Sequence, residues 1–181
     1  MLKFFAVFAC ILCLSHNKSQ NFRINSAIDD NAAAATAKYL DEHDGPINIY
    51  INSPGGSVIA GSEIIDDIQN HDGPVTCIVQ NGLAASMASG IFEACQVRVM
   101  GKGGILMFHQ PALSGVEGKH LDMQNAQAAL DAIELANAQR IEAASHGKVT
   151  VAMYMAKTKD GHEWWVNSSE ALQLGLTDKV L

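Results

Sequence analysis

Short β-branched runs, each entering a glycine-bearing turn and then a helical pattern, constrain this chain more than any other feature. Ile47-Asn48-Ile49-Tyr50-Ile51 leads into Asn52-Ser53-Pro54-Gly55-Gly56-Ser57, after which Ile64, Ile65 and Ile68 recur at helical spacing across residues 58–68. His71-Asp72-Gly73-Pro74 closes that helix, and Val75-Thr76-Cys77-Ile78-Val79 reads as the next strand. A succession of this kind folds as an α/β domain with a largely parallel sheet.

The rest of the chain extends the pattern. Phe22-Arg23-Ile24-Asn25 alternates like a half-buried strand, and Asp29-Asp30-Asn31 offers N-caps for a helix through Tyr39 and Leu40. Residues 84–94 read as a helix rich in small side chains with Ser86 near its start. Val97-Arg98-Val99-Met100 and Ile105-Leu106-Met107-Phe108 are short strands. A long helix over 120–146, a helix over 149–156, a strand at Trp164-Trp165-Val166 and a helix over 169–174 complete the series. The junctions after Ile51 and Val79 are expected to present helix N-termini on one side of the sheet, where open α/β folds keep their sites.

At 181 residues the chain fits one domain. Its 12 basic and 19 acidic residues give a net charge of −7, and no Lys/Arg cluster supplies a nucleic-acid footprint. Residues 1–20 stand apart from a domain over 21–181. Lys3 followed by the apolar run 4–14 reads either as an export signal or membrane anchor, or as an arm packing on the domain or a neighbouring subunit. It is shorter than the roughly 20 residues of an ordinary membrane span. Membrane contact is expected only if that run is retained. Cys10 and Cys13 lie inside it, with no second pair to complete a zinc site. Cys77 and Cys95 read as small buried residues that fit a reducing compartment.

Chemistry concentrates in three blocks. Gly82-Leu83-Ala84-Ala85-Ser86-Met87-Ala88 puts a hydroxyl among small residues that let a peptide backbone approach. Taken alone, Ser86 would be read as a helix N-cap. Met107-Phe108-His109-Gln110-Pro111 places a histidine at a strand end, the only one of seven framed by apolar sequence. A serine needs a neighbouring base to become nucleophilic, and His109 is the candidate. Gly55-Gly56 permits positive φ and close approach, so the amides of Gly56 and Met87 are candidate donors to an oxyanion. Together the blocks point to a serine peptidase.

These three blocks, with Ser169-Glu170-Ala171-Leu172-Gln173-Leu174-Gly175-Leu176-Thr177-Asp178 at the end, resemble the proteolytic subunit of the Clp protease from about residue 22 onward. The resemblance implies a Clp protease/crotonase-like fold of repeated β-β-α units with a long handle helix at 120–146. It implies Ser86 as nucleophile, His109 as general base, and Gly56 and Met87 as oxyanion-hole amides. It implies a serine endopeptidase that cuts unfolded polypeptides through an acyl-enzyme. The expected assembly is a homo-oligomeric ring, a heptamer or double heptamer, with an AAA+ unfoldase as partner, in the cytoplasm. No metal or organic cofactor is expected. Ala112-Leu113-Ser114-Gly115-Val116 is similar to the family's segment that pairs with substrate as an added strand.

The chain departs from the family at two points. Where the family carries the triad aspartate this chain has Glu163, with Asp160 three residues earlier as the alternative. The apolar N-terminal run stands where members carry the axial pore loops, which sets unfoldase docking apart from hydrolysis. The short form is similar to phage-type members. Two other functions compete: an inactive ring subunit, and a crotonase-type acyl-CoA enzyme that would not need Ser86 and His109 together.

Overall fold

A computed structural model describes residues 20–112 and 120–181. The apolar run at 4–14 with Cys10 and Cys13, and residues 113–116 of the strand-pairing segment, lie outside the described residues.

Five parallel strands form the main sheet: β1 (Gln20–Ile24), β2 (Ile47–Ile51), β3 (Val75–Val79), β5 (Val97–Met100) and β8 (Lys179–Val180), side by side in that order. β2 and β3 bury alternate residues completely, Ile47, Ile49 and Ile51 on one and Val75, Cys77 and Val79 on the other. Crossover helices α1 (Asp30–Asp41) and α2 (Val58–Asn70) return the chain between these strands. Each begins where a side chain satisfies a free backbone donor: Asp29 accepts from Ala32 N at 2.9 Å, and Ser57 accepts from Ala60 N at 3.3 Å. The fold is the expected α/β class with a mostly parallel sheet.

The second sheet departs from expectation. Leu83–Ala85 is a strand, β4, and the helix predicted from residue 84 begins only at Met87, as α3 (Met87–Ala94). Alanines carry no intrinsic preference for a strand, so the pairing comes from both flanks. Ser53 N donates to Leu83 O at 2.7 Å and Ala85 N to Ser53 O at 3.0 Å, while β6 (Ile105–Phe108) pairs in parallel on the other side. β7 (Trp164–Asn167) then runs antiparallel to β6. The helix N-terminus expected after Val79 therefore follows β4, in the smaller sheet. Strand β8, too short for a sequence signal, closes the edge of the larger one.

Helix α4 (His120–Ala144) fills most of the long span read as a handle, stopping short of His146 and Gly147, which both take positive φ. Helix α5 (Val151–Thr158) starts at the Thr150 cap, and α6 (Ser168–Leu174) follows β7.

The C-terminal end of α3 is anchored twice. Glu93, 3% exposed, accepts from Arg98 Nη1 at 2.7 Å, and Asp178 takes the other side of the same guanidinium at 2.8 Å. Cys77 and Cys95, expected as separate buried thiols, are joined in a disulfide between β3 and the end of α3. Packing of the helix end on the strand brings their Cα atoms to 5.8 Å, within the usual span of such a bond.

Candidate active site

Ser86 sits at the turn between β4 and α3 with φ 55° and ψ −123°, a left-handed backbone that a non-glycine residue rarely adopts. Its surroundings hold it there. Its N–H donates to Met107 O at 2.8 Å, and its carbonyl accepts from the Ser89 hydroxyl at 2.6 Å. Gly55 packs on it so closely that a Cβ there would lie 2.7 Å from Ser86 Cβ and 2.9 Å from Met87 N. Although it occupies the N-cap position, the Ser86 side chain makes no capping bond. Its Oγ lies 2.7 Å from His109 Nε2 instead.

The pairing of β4 with β6 sets up this meeting. Ala85 lies opposite Met107, so the residues just beyond the two strand ends, Ser86 and His109, emerge side by side. Ser89, buried one turn into α3, shares its hydroxyl between Ser86 O and Met107 O (3.0 Å) and so ties both strand ends together. Ser89 went unread in the sequence, where its only signal was a polar residue one helical turn after Ser86.

His109 is held from behind. Phe108 packs among Tyr154 and Trp164, with ring centroids 6.2 Å and 5.4 Å away. Tyr154 Oη donates to His109 O at 3.4 Å, and burial, aided by the Glu134 charge, pushes the tyrosine up to about 12. Gln110 Nε2 donates to both Glu134 oxygens at 3.1 Å, and Gln110 Oε1 accepts from Gly161 N at 3.3 Å. Glu134, itself 8% exposed, also accepts from the Thr158 hydroxyl at 3.4 Å. This buried acid carried no sequence signal beyond its place in α4.

Neither candidate acid touches the imidazole. Among the described residues no hydrogen bond or ion pair links His109 to Glu163 or Asp160. Glu163 accepts from Trp165 Nε1 at 3.1 Å, and Asp160 lies exposed beside Lys159 at 3.9 Å. The backbone nonetheless ranks them. β7 pairs Trp164 with Phe108, and one further step of that antiparallel register sets Glu163 opposite His109.

Gly56 takes φ 152° against Ile28, whose carbonyl would collide with any Cβ there. The flanking bonds, Ile28 N to Gly55 O at 2.9 Å and Ser57 N to Ile28 O at 2.8 Å, leave the Gly56 N–H out of the pairing. Met87 is the first helical residue, so its N–H has no intrahelical acceptor. Both are donors without a backbone partner in their own elements, and a negative charge forming beside the α3 N-terminus is favoured by the helix dipole. A pocket of about 40 Å³ opens beside Ser86 and His109, walled by Met87, Phe108, Ile141 and Tyr154, with Arg140 and Asn137 from α4. Among the described residues no group of three His, Cys, Asp or Glu side chains is arranged to hold a metal.

This geometry occurs in a chain whose residues 13–181 match the family model described as Clp protease. It is 35% identical over 176 residues to the ATP-dependent Clp protease proteolytic subunit 1 of Protochlamydia amoebophila, covering 90% of this chain and 81% of that one. It is also 35% identical over 168 residues to the corresponding subunit of Porphyromonas gingivalis, covering 87% and 72%. Its fold resembles that of a ClpP1 point mutant from Listeria monocytogenes, with a TM-score of 0.78 at 23% identity over 90% of this chain and 91% of the other.

Proposed function

The chain belongs to the Clp protease family, and from its site we propose a serine endopeptidase in which Ser86 and His109 carry the chemistry. The observation that supports this most is the 2.7 Å contact between Ser86 Oγ and His109 Nε2, made by a serine held in a strained turn. Ser86 Oγ attacks the peptide carbonyl while its proton passes to His109 Nε2. The oxygen, now negative, is received by the Gly56 and Met87 amides. His109 returns the proton to the leaving amine as the C–N bond breaks, leaving an acyl-serine. Water, deprotonated by His109, then releases the acid and restores Ser86.

With Nε2 accepting, the imidazole carries its hydrogen on Nδ1, which needs an acceptor to fix that tautomer. The β6–β7 register supports Glu163 for this part. Its carboxylate would leave Trp165 Nε1, itself half exposed, and turn toward the histidine. Asp160, in an exposed 3-10 turn, has no comparable support.

Assembly into a ring working with an AAA+ unfoldase is the family's arrangement, and exposed apolar side chains on α4, Met123 (57%) and Leu135 (43%), support that helix as a contact between subunits. We take residues 21–181 as the peptidase domain and unfolded polypeptide as its substrate. No described helix is long and apolar enough to cross a membrane.

The test is fluorophosphonate labelling and fluorogenic-peptide hydrolysis by the assembled protein. Ser86→Ala is expected to abolish labelling and to lower turnover by about 10⁴-fold or more. A wild type that forms rings yet neither labels nor cleaves would replace this reading with that of an inactive ring subunit.

A further inference from the structure

Arg140 is the unexplained group in the pocket beside Ser86. It projects from α4 into a space otherwise walled by Met87, Phe108, Ile141 and Tyr154, and it is only partly exposed. Among the described residues one of its five N–H donors is engaged, Nη1 to Asn137 Oδ1 at 2.9 Å. Among the described residues it forms no ion pair. Asp66 of α2, exposed to solvent, is the carboxylate whose charge reaches it, from beyond ion-pair distance. Burial holds the guanidinium below the usual arginine range, the mark of a cation short of both water and a counter-charge.

A pocket with apolar walls and a cation short of partners suits a side chain of one or two methylenes ending in a carboxylate. A neutral aliphatic side chain would fit the walls but cover the guanidinium without pairing it, which is costly for a charged donor. We propose that Arg140 sets the specificity of this site, so that the peptidase cleaves preferentially after aspartate or glutamate, the acidic side chain pairing with the guanidinium while Ser86 attacks that residue's own carbonyl. This rests on the serine peptidase reading above. The guanidinium offers two parallel N–H donors to a carboxylate, a geometry that a lysine lacks.

The experiment uses the full, assembled chain and matched fluorogenic peptides that differ only at the residue whose carbonyl is attacked: Glu, Gln, Asp, Asn, Leu and Lys. In the wild type, kcat/KM for Glu is expected to exceed that for Gln by about tenfold or more, as for a charge-assisted bond in a desolvated site. Arg140→Gln should bring that ratio to about 1 while the Leu-to-Gln ratio moves by less than about twofold. Arg140→Lys should keep part of the acidic preference, and Arg140→Glu should shift it to Lys. A wild-type preference for Leu over Glu, or an equal fall for all six peptides in Arg140→Gln, would make Arg140 an assembly or packing residue and overturn the proposal. Fluorophosphonate labelling of the wild type separates the two levels. Labelling without acidic preference sinks only the specificity, whereas absence of both labelling and cleavage sinks the peptidase reading beneath it.

Discussion

Helix α3 has two ends built on opposite principles. At its N-terminus Ser86 is strained, its hydroxyl free of the cap it stands in place to make, and the adjoining backbone donors are left open. At its C-terminus Glu93 is buried in a two-carboxylate clasp on Arg98, and Cys95 is tied to β3. One helix of eight residues holds both a site that stores unmet hydrogen-bonding potential and an anchor that meets nearly all of it. One atom of the anchor, Glu93 Oε1, has no hydrogen-bond partner among the described residues. The contrast sets a strained nucleophile at one end of a short helix whose other end is tied by an ion pair and a crosslink, and a strained residue persists only where its surroundings fix it.

Removing the reactive end should give the largest effects. His109→Ala is expected to lower kcat by about 10⁴-fold or more with little change in melting temperature, read by peptide hydrolysis beside thermal denaturation. Glu163→Gln should cost about 10³-fold or more in kcat, as for loss of the group orienting a triad histidine, against less than about twofold for Asp160→Asn. Equal, small effects of both would leave His109 without a side-chain partner from the β7 region.

The anchor should show the converse, with stability lost first. Glu93→Ala strips a hydrogen-bond partner from an arginine whose side chain is 5% exposed, while Asp178 stays paired with it, and is expected to cost about 2 kcal/mol in chemical denaturation. Opening the Cys77–Cys95 bond, by reduction or by Cys77→Ala, removes a crosslink between residues 18 apart. It should cost about 3 kcal/mol, with turnover per folded molecule nearly kept. Four titratable thiols in the unreduced, denatured chain, rather than the two of Cys10 and Cys13, would show that the bond does not form. A bond that survives in thiol-trapped cell extracts would favour an oxidising compartment over the cytoplasm that the family resemblance implies.

The last signal is a slope. Burial raises the Glu93 carboxyl to about 8 from an ordinary 4.5, against the pull of Arg98. Ionising it therefore costs more in the folded chain than in the unfolded one. Its contribution to stability is fully present below about 4.5 and is lost as pH climbs toward about 8. Melting curves across that window should slope downward in the wild type and flatten in Glu93→Gln. An unchanged slope in the variant would assign the effect to other groups.

Much of the fold was legible because β-branched runs and glycine turns act locally. Strands β2, β3, β5 and β6 fall where their residues imply. β4 was not legible, since Leu83-Ala84-Ala85 suits a helix until Ser53 and β6 bracket it. The site divides in the same way. Ser86 and His109 stood out through their small and apolar frames, whereas Ser89, Glu134 and Arg140 look ordinary in the linear chain. Their meaning comes from what three other elements place against them.

From the order of residues alone follow the α/β class, the glycine turn, and the pair of residue types able to make a nucleophile and its base. All depend on interactions within a few positions of the chain. Whether Cys77 meets Cys95, where the Glu163 carboxylate points, and that Arg140 reaches the pocket beside Ser86 were decided by packing. Cys77 and Cys95 lie 18 positions apart and Ser86 and Arg140 lie 54 apart, distances across which local preference carries no information. The fold alone determines which side chains meet over such distances, because sheet register and helix docking bring them together only after the chain has closed.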